Sequence, residues 1–292
     1  MINNFVHAKL SNMIIAIDIG GTKTLVATVD QNGQVTNKIK FPSPPTYQEY
    51  VPALIDNIKQ LTNDKPSIIT VGCAGLIDRS AGIIKFSPNL HWDNAPLASD
   101  INNIFPDTPV IIENDANLAG LSEANALENI NQRVMYITFS TGVGTAFMVN
   151  GALEPELLDS EGGHVVFEHD GKMTDWESFA AGKAIVEKYG KQASELDDPV
   201  AWREISKNMA IGIVNANAIF MGDVAIIGGG VGTYFEKYGQ MLNEEIESLI
   251  KISKMVKQPL AVGAKHAEEA VMLGCIINAQ QHEQRQQSTT NR

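Results

Sequence analysis

Cysteine is nearly missing from this chain. Cys73 and Cys275 are the only two in 292 residues; they stand far apart in apolar surroundings, so neither a disulfide framework nor a cysteine-built metal site is expected. A reducing, cytoplasmic compartment is the reading that follows. Positive charge is scarce as well: 22 Lys and Arg against 34 Asp and Glu give a formal net charge of -12. That balance argues against a nucleic-acid or anionic-membrane partner, either of which needs a basic face. Long apolar runs are lacking too. The first, from Met13 to Ile17, stops at Asp18, which leaves no secretory h-region and no membrane span. What remains, 44% hydrophobic and 19% charged residues, is ordinary globular composition, and the length suggests roughly two domains.

What the chain does have is the same short phrase written twice. Ile14 to Val35 reads as an apolar strand, a Gly20-Gly21-Thr22 turn, a second apolar strand and then Asn32-Gly33. Met135 to Leu153 repeats it, with Thr141-Gly142-Val143-Gly144-Thr145 at the bend and Asn150-Gly151 after the second strand. Asn-Gly between apolar runs signals a hairpin, because both residues tolerate the positive φ of a type I′ turn. Glycines at the first bend let backbone N–H groups approach an anion with no Cβ in the way, and the threonine hydroxyls add donors. Each copy therefore predicts a phosphate cradle, and the two together could hold one phosphate chain from opposite sides.

Along the rest of the chain, Tyr50, Val51, Leu54, Ile55, Ile58 and Leu61 keep helical spacing and predict an amphipathic helix from Tyr47. Ser67 to Val71, Pro109 to Ile112 and Val224 to Ile227 are β-branched or apolar runs that read as buried strands. The stretch from Pro88 to Pro96 and the region from Glu154 to Thr174 read as loops. Helices are expected over 116–127, 176–189, 202–220 and 267–279, and the polar tail 280–292 is expected to be disordered. This order predicts two α/β domains of related design, 13–115 and 116–266, with the final helix packing back on the first. Ligands in such sheets sit at strand carboxyl ends, so an active cleft is expected between the domains.

Acidic and amide residues stand at those ends. Asp18 heads the first cradle and is placed to reach Mg²⁺, directly or through water, since hard cations take oxygen ligands. Asp115 closes a buried strand and is the candidate base for an acceptor hydroxyl, with Asn114 beside it to steady that hydroxyl. At an arbitrary strand-to-helix junction Asp115 alone would read as a helix N-cap, and it can be both. Asn89, Glu161, His164 and Glu177 are loop or helix-start residues able to meet the paired donors and acceptors of sugar hydroxyls. Gly228, Gly229 and Gly230 follow the strand at Val224, but Thr233 stands where a dinucleotide fingerprint needs glycine. His169, flanked by Glu168 and Asp170, reads as part of a solvated cluster rather than a metal site.

Eight phrases in order resemble the ROK sugar kinases: DIGGTKT at 18–24, CAGLID at 73–78, SPNLHW at 87–92, ENDANLAGLSEA at 113–124, STGVGT at 140–145, EGGH at 161–164, WESFAAGKAI at 176–185 and IIGGGV at 226–231. The resemblance implies an actin/hexokinase-like (ribonuclease H-like) α/β fold of two domains and transfer of the γ-phosphoryl of Mg-ATP to the 6-hydroxyl of an aldohexose, glucose first. By position it implies phosphate contacts at Gly20, Gly21, Thr22, Lys23, Thr141 and Gly142, and an adenosine-side segment at Gly228 to Gly230. It implies Asp115 as base, and sugar contacts at Asn89, Asn114, Glu161, His164 and Glu177. A homodimer is implied as well. Typical members carry a CxCGxxGC zinc motif after the EGGH-like segment, whereas no cysteine lies between His164 and Glu177. No structural zinc is expected, His164 is left as a sugar ligand, and how Glu177 is held becomes a question. Ala146, where many ATP-using members carry glycine, resembles the polyphosphate-using branch, while the intact Gly228–Gly230 segment favours ATP. An N-acetylhexosamine acceptor stays open. A sugar-binding regulator is the reading from another class; such relatives carry an added N-terminal DNA-binding domain, and only about a dozen residues precede the first strand here.

Overall fold

The computed structural model describes residues 9–252 and 254–290. The chain divides into two units, one running up to Ser122 and resuming at Glu269, the other spanning Glu123–Glu268. The first unit is built on a five-stranded sheet. Its strands β1 (Ile14–Ile19), β2 (Lys23–Val29) and β3 (Val35–Pro42) form an antiparallel meander. After helix α1 (Tyr47–Leu61), strand β4 (Ile69–Cys73) lies parallel to β1. Three short strands, β5 (Leu76–Asp78), β6 (Ile83–Ser87) and β7 (Trp92–Ala95), make a separate antiparallel sheet. Helix α2 (Leu97–Asn102) then leads to β8 (Val110–Asn114), parallel to β4, and β8 runs directly into α3 (Asp115–Asn125).

The second unit repeats this design. β9 (Arg133–Phe139), β10 (Val143–Val149) and β11 (Ala152–Leu153) form the meander. An exposed hairpin of β12 (Val166–His169) and β13 (Lys172–Asp175) follows, then helices α4 (Glu177–Ala180), α5 (Gly182–Tyr189) and α6 (Pro199–Phe220). β14 (Val224–Gly228) lies parallel to β9, and after α7 (Gly229–Gly232) and α8 (Phe235–Ile250), β15 (Leu260–Gly263) lies parallel to β14. The sheet orders are β3-β2-β1-β4-β8 and β11-β10-β9-β14-β15. In chain order the five strands of each sheet are therefore arranged identically. The duplicated phrase read in the sequence is the opening meander of each sheet.

The last helix, α9 (Ala270–Thr290), belongs to the first unit. Its residues Met272, Cys275, Ile276 and Ala279 are buried with Ile14, Ala16 and Leu118. The close approach requires Gly274, where a Cβ would come within 2.0 Å of the Leu118 carbonyl oxygen. The division between the units falls within α3, at Ser122/Glu123, seven residues past the boundary expected just after Asp115. The expected disordered tail is corrected too: the helix continues to Thr290. Glu283 is buried and accepts bonds from the Ser11 N–H, the Ser11 hydroxyl and the Ser67 hydroxyl, at 2.7, 2.8 and 3.0 Å. A count of apolar residues does not register a carboxylate satisfied by three donors. Residues 291 and 292 of that expected tail lie outside the described residues. No helix among the described residues is long and apolar enough to cross a membrane.

The two Asn-Gly pairs fold differently. Asn150 and Gly151 have φ of 53° and 74° and close a two-residue turn between Val149 and its partner Ala152. At the first pair only Gly33 is left-handed. There the Asp30 carboxylate accepts from the N–H groups of Asn32 and Gln34, both at 2.9 Å, and a longer loop replaces the type I′ turn.

Candidate active site

In the first unit the strand register sets the geometry. Asp18 on β1 pairs with Gly72 on β4, and Gly72 pairs with Glu113 on β8. Asp115 follows two residues later as the first residue of α3. Glu113 is buried and takes a two-pronged bond from Arg79, 2.8 Å from Nε and 2.6 Å from the second terminal nitrogen. One of its oxygens also accepts from the Asn114 N–H at 2.7 Å and the Asn117 amide at 2.8 Å. The backbone under Asp115 is thereby fixed. Arg79 and Glu113 are a support that the sequence did not disclose, since 34 residues separate them.

Asn114 and Asp115 both serve as caps, each placing an oxygen 2.8 Å from the Ala116 N–H. The Asn114 amide also donates to the Gly75 carbonyl at 3.2 Å. Asp115 is half-buried rather than sealed. Burial pushes its carboxyl above the usual range, against the backbone hydrogen bonds that pull it down. Asp18 is pushed up to about 6, first by burial and then by the charge of Asp115, with Lys23 and Lys40 opposing. Two carboxyls thus share one poorly solvated neighbourhood, where a cation would relieve their repulsion.

The first glycine turn lies just beyond Asp18. Gly20 donates to the Lys23 carbonyl at 3.0 Å, and the Ser43 hydroxyl donates to the Gly20 carbonyl at 2.7 Å. The Gly20 N–H closes the turn and is therefore spent. Gly21, Thr22 and Lys23 are exposed. A Cβ on Gly21 would meet the Asn89 carbonyl oxygen at 3.0 Å, so the loop between β6 and β7 lies against the turn. Asn89 is exposed there. The fold thus gathers Asp18, the first cradle, Asn89, Asn114 and Asp115 in one unit.

In the second unit the bend between β9 and β10 carries Thr141 and Gly142. The Ser140 N–H donates to the Gly142 carbonyl at 2.9 Å and Gly182 donates to the Ser140 carbonyl at 2.7 Å. Glu177, the first residue of α4, accepts from the Val143 N–H at 3.2 Å, and a Cβ on Gly142 would fall 2.5 Å from its carboxylate. Glu177 therefore sits on the second bend itself. Its helix is anchored by the buried Trp176, whose indole donates to the Asn208 carbonyl at 3.0 Å and lies flat over Gly212.

Glu161 precedes and His164 ends a short 3-10 turn, Gly162–His164, pressed onto β10. The Gly162 N–H donates to the Thr145 hydroxyl at 3.0 Å, and a Cβ on Gly163 would come within 2.1 Å of the Val143 carbonyl oxygen. The turn needs its glycines because nothing larger fits between it and the strand. His164, Asp175 and Glu177 each bring one ligand-type atom within 4.8 Å of the other two. That is one nitrogen and two carboxylates, with Glu177 already bonded to Val143 and Asp175 to Ser178. Three such donors do not fit a four-coordinate, thiolate-rich structural zinc site.

Gly228, Gly229 and Gly230 stand at the end of β14 beside this bend. A Cβ on Gly228 would strike the Tyr136 ring, Gly229 has φ of 77° and abuts the Phe139 carbonyl, and Gly230 faces open space. Of the three, Gly230 leaves its surface to a ligand; the other two are small for internal reasons.

Two units of matched topology, with glycine bends after their first strands and carboxylates at strand ends, define the two-domain α/β class of actin and hexokinase-like phosphotransferase folds. The chain matches the ROK family over residues 14–282 and belongs to it. It is 30% identical to a glucokinase of Streptomyces coelicolor over 190 residues, 62% of this chain and 59% of that protein, so the match spans less than two thirds of that relative. A fructokinase of Lactococcus lactis subsp. cremoris is 25% identical over 270 residues, 84% of this chain and 90% of the relative. Among solved structures, the inorganic polyphosphate/ATP-glucomannokinase from Arthrobacter sp. strain KM superposes with a TM-score of 0.68 at 26% identity, covering 93% of this chain and 100% of the other.

Proposed function

We propose that this protein transfers the γ-phosphoryl group of ATP to the 6-hydroxyl of an aldohexose, with glucose the first candidate. The observation that carries the reading is that Asp18 on β1 and Asp115 just after β8 belong to one unit and both have raised proton affinity, that of Asp18 through burial and then through the charge of Asp115. A general base works best when its pKa lies near the working pH, and burial moves Asp115 in that direction. Asp115 takes the proton of the sugar hydroxyl as its oxygen bonds to the γ-phosphorus. The bond from that phosphorus to the β-γ bridging oxygen breaks, and ADP leaves. Asn89, Asn114, Glu161, His164 and Glu177 orient the sugar, while Gly21, Thr22, Lys23, Thr141 and Gly142 position phosphate oxygens.

Asp18 is the residue that would hold Mg²⁺, and its raised pKa beside Asp115 fits a site that gains from a cation. When bound, the ion neutralises charge on the β and γ oxygens. A second reading for the acceptor is a ketohexose, supported by the longer alignment with the fructokinase. For the donor it is polyphosphate, supported by the glucomannokinase likeness and by Ala146. A coupled assay of purified protein against glucose, mannose, fructose, N-acetylglucosamine and N-acetylmannosamine, run with ATP and again with polyphosphate, tests all of these. Phosphorylation of glucose with ATP is expected. No sugar-dependent consumption of either donor would refute the kinase reading.

A further inference from the structure

His164 is an unusual residue to entrust with a substrate. It ends a short turn, its side chain is 60% exposed, and an exposed imidazole is free to rotate and to choose its tautomer. Among the described residues its ion-pair partner is Asp175, whose Oδ2 lies 3.6 Å from Nδ1. Asp175 is itself held tightly. Its Oδ1 accepts from the Ser178 N–H at 3.1 Å and, closer still, from the Ser178 hydroxyl. Its backbone sits at the base of the β12–β13 hairpin, paired with Val166, two residues beyond His164. The Trp176 N–H donates to the Val165 carbonyl at 2.9 Å, closing the hairpin one step further. The hydrogen bonds from Ser178, with the His164 ring close by, hold the Asp175 carboxyl below its ordinary range.

The two oxygens of Asp175 thus do different work: one caps α4, which begins with Glu177, and the other faces His164. We propose that Asp175 is a positioning residue for sugar binding, tying the His164 turn to the Glu177 helix and fixing the ring with Nδ1 protonated so that Nε2 accepts from a sugar hydroxyl. The proposal rests on the kinase reading for its sugar, but not for its geometry. A carboxylate at Nδ1 selects that tautomer because it can only accept. Asp175 in this way supplies the link between the two sugar-facing segments that the missing cysteine motif left in question.

The test is a set of variants assayed with glucose, or with fructose if that proves the accepted sugar. Asp175→Ala should raise the sugar KM about tenfold, the worth of one well-ordered hydrogen bond, with kcat and donor KM changed by less than about twofold. Asp175→Asn keeps an acceptor for Ser178 and should give a smaller rise. Ser178→Ala, which removes part of the cap and leaves the His164 contact, should leave the sugar KM near wild type. In a His164→Ala background Asp175→Ala should add nothing, because it acts through that ring. An unchanged sugar KM in Asp175→Ala, or full additivity with His164→Ala, overturns the proposal. Nitrogen-15 NMR of the histidine rings decides independently of turnover. His164 should be the Nδ1–H tautomer in the wild type and should shift in Asp175→Asn, and identical ring signals would overturn the positioning role. A wild-type protein inert toward every sugar, with the expected ring signals, would instead refute the kinase reading alone.

Discussion

Replacing Asp18 by asparagine is expected to make the protein more stable while abolishing its activity. The carboxyl moves from an ordinary value of 3.8 to about 6 on folding, chiefly through burial and then through the charge of Asp115. At 1.36 kcal/mol per unit, a rise of about two units is ~3 kcal/mol of differential interaction between the two protonation states. The sign follows from proton uptake. Below pH ~4 the group is protonated in both states and contributes no penalty. Between ~4 and ~6 the unfolded chain gives up the proton while the folded chain keeps it, so stability falls as pH rises, and above ~6 the full penalty is in force. Asparagine has no charge to desolvate and keeps nearly the same shape. Urea denaturation of both proteins at pH 7 should therefore show the variant more stable by ~2–3 kcal/mol, with the difference vanishing near pH 4. The difference between the two proteins is the readout, because Asp78, Asp175 and Asp223 are held down by hydrogen bonds and give the opposite pH trend in both. A variant no more stable than wild type at pH 7, or a difference independent of pH, would show that Asp18 is not a strained acid held for function.

Gly142→Ala should leave the melting temperature nearly unchanged, because the new methyl meets only the movable end of Glu177, yet lower kcat/KM tenfold or more (about 1.4 kcal/mol); equal activity would show that the Glu177 carboxylate need not rest on the bend. Gly212→Ala should destabilise by ~1–3 kcal/mol or more through overpacking, since its Cβ would fall 2.0 Å from the Trp176 indole; an unchanged thermal melt would contradict that packing. The acid limb of kcat/KM against pH should lie above the ordinary carboxylate range, because Asp18 and Asp115 both bind protons more tightly than free carboxyls. A limb centred near 4, the value of an unperturbed aspartate, would contradict the raised pair.

Much of this arrangement was legible from local pattern. The strand bearing Asp18 and the strand that ends just before Asp115 are short, mainly apolar runs with their acids confined to the carboxyl end, and a buried sheet leaves such segments few alternatives. The second Asn-Gly turn folds as its dipeptide demands, whereas at the first an aspartate one turn earlier competes for the same N–H groups. The hairpin that carries Asp175 reads as loop in the sequence, though Asp170-Gly171, with φ of 51° and 77°, is a usable turn signal. Its strands hide because they are exposed and mix Glu168, Lys172 and Thr174 with few apolar residues. The sheet of β5, β6 and β7 was obscured by Pro88 and by strands of three to five residues. Among the site residues, Asp18, Asn89, Asn114 and Asp115 are gathered in one unit, and His164 and Glu177 lie together in the other. The supports are what local reading could not supply: Arg79 under Glu113, Ser43 under Gly20 and Gly182 under Ser140 are pairings between distant segments. Only the folded chain brings them together.

In the proposed reaction the Asp115 carboxylate receives the proton of the acceptor hydroxyl. Asp115→Asn keeps the cap on the Ala116 N–H and the shape of the site but cannot accept that proton. Sugar-dependent turnover and sugar affinity, the latter by calorimetry, should be measured side by side on this variant. Turnover lower by ~10²–10⁴-fold with affinity largely retained is the predicted result. Near-normal turnover in the asparagine variant would contradict the mechanism.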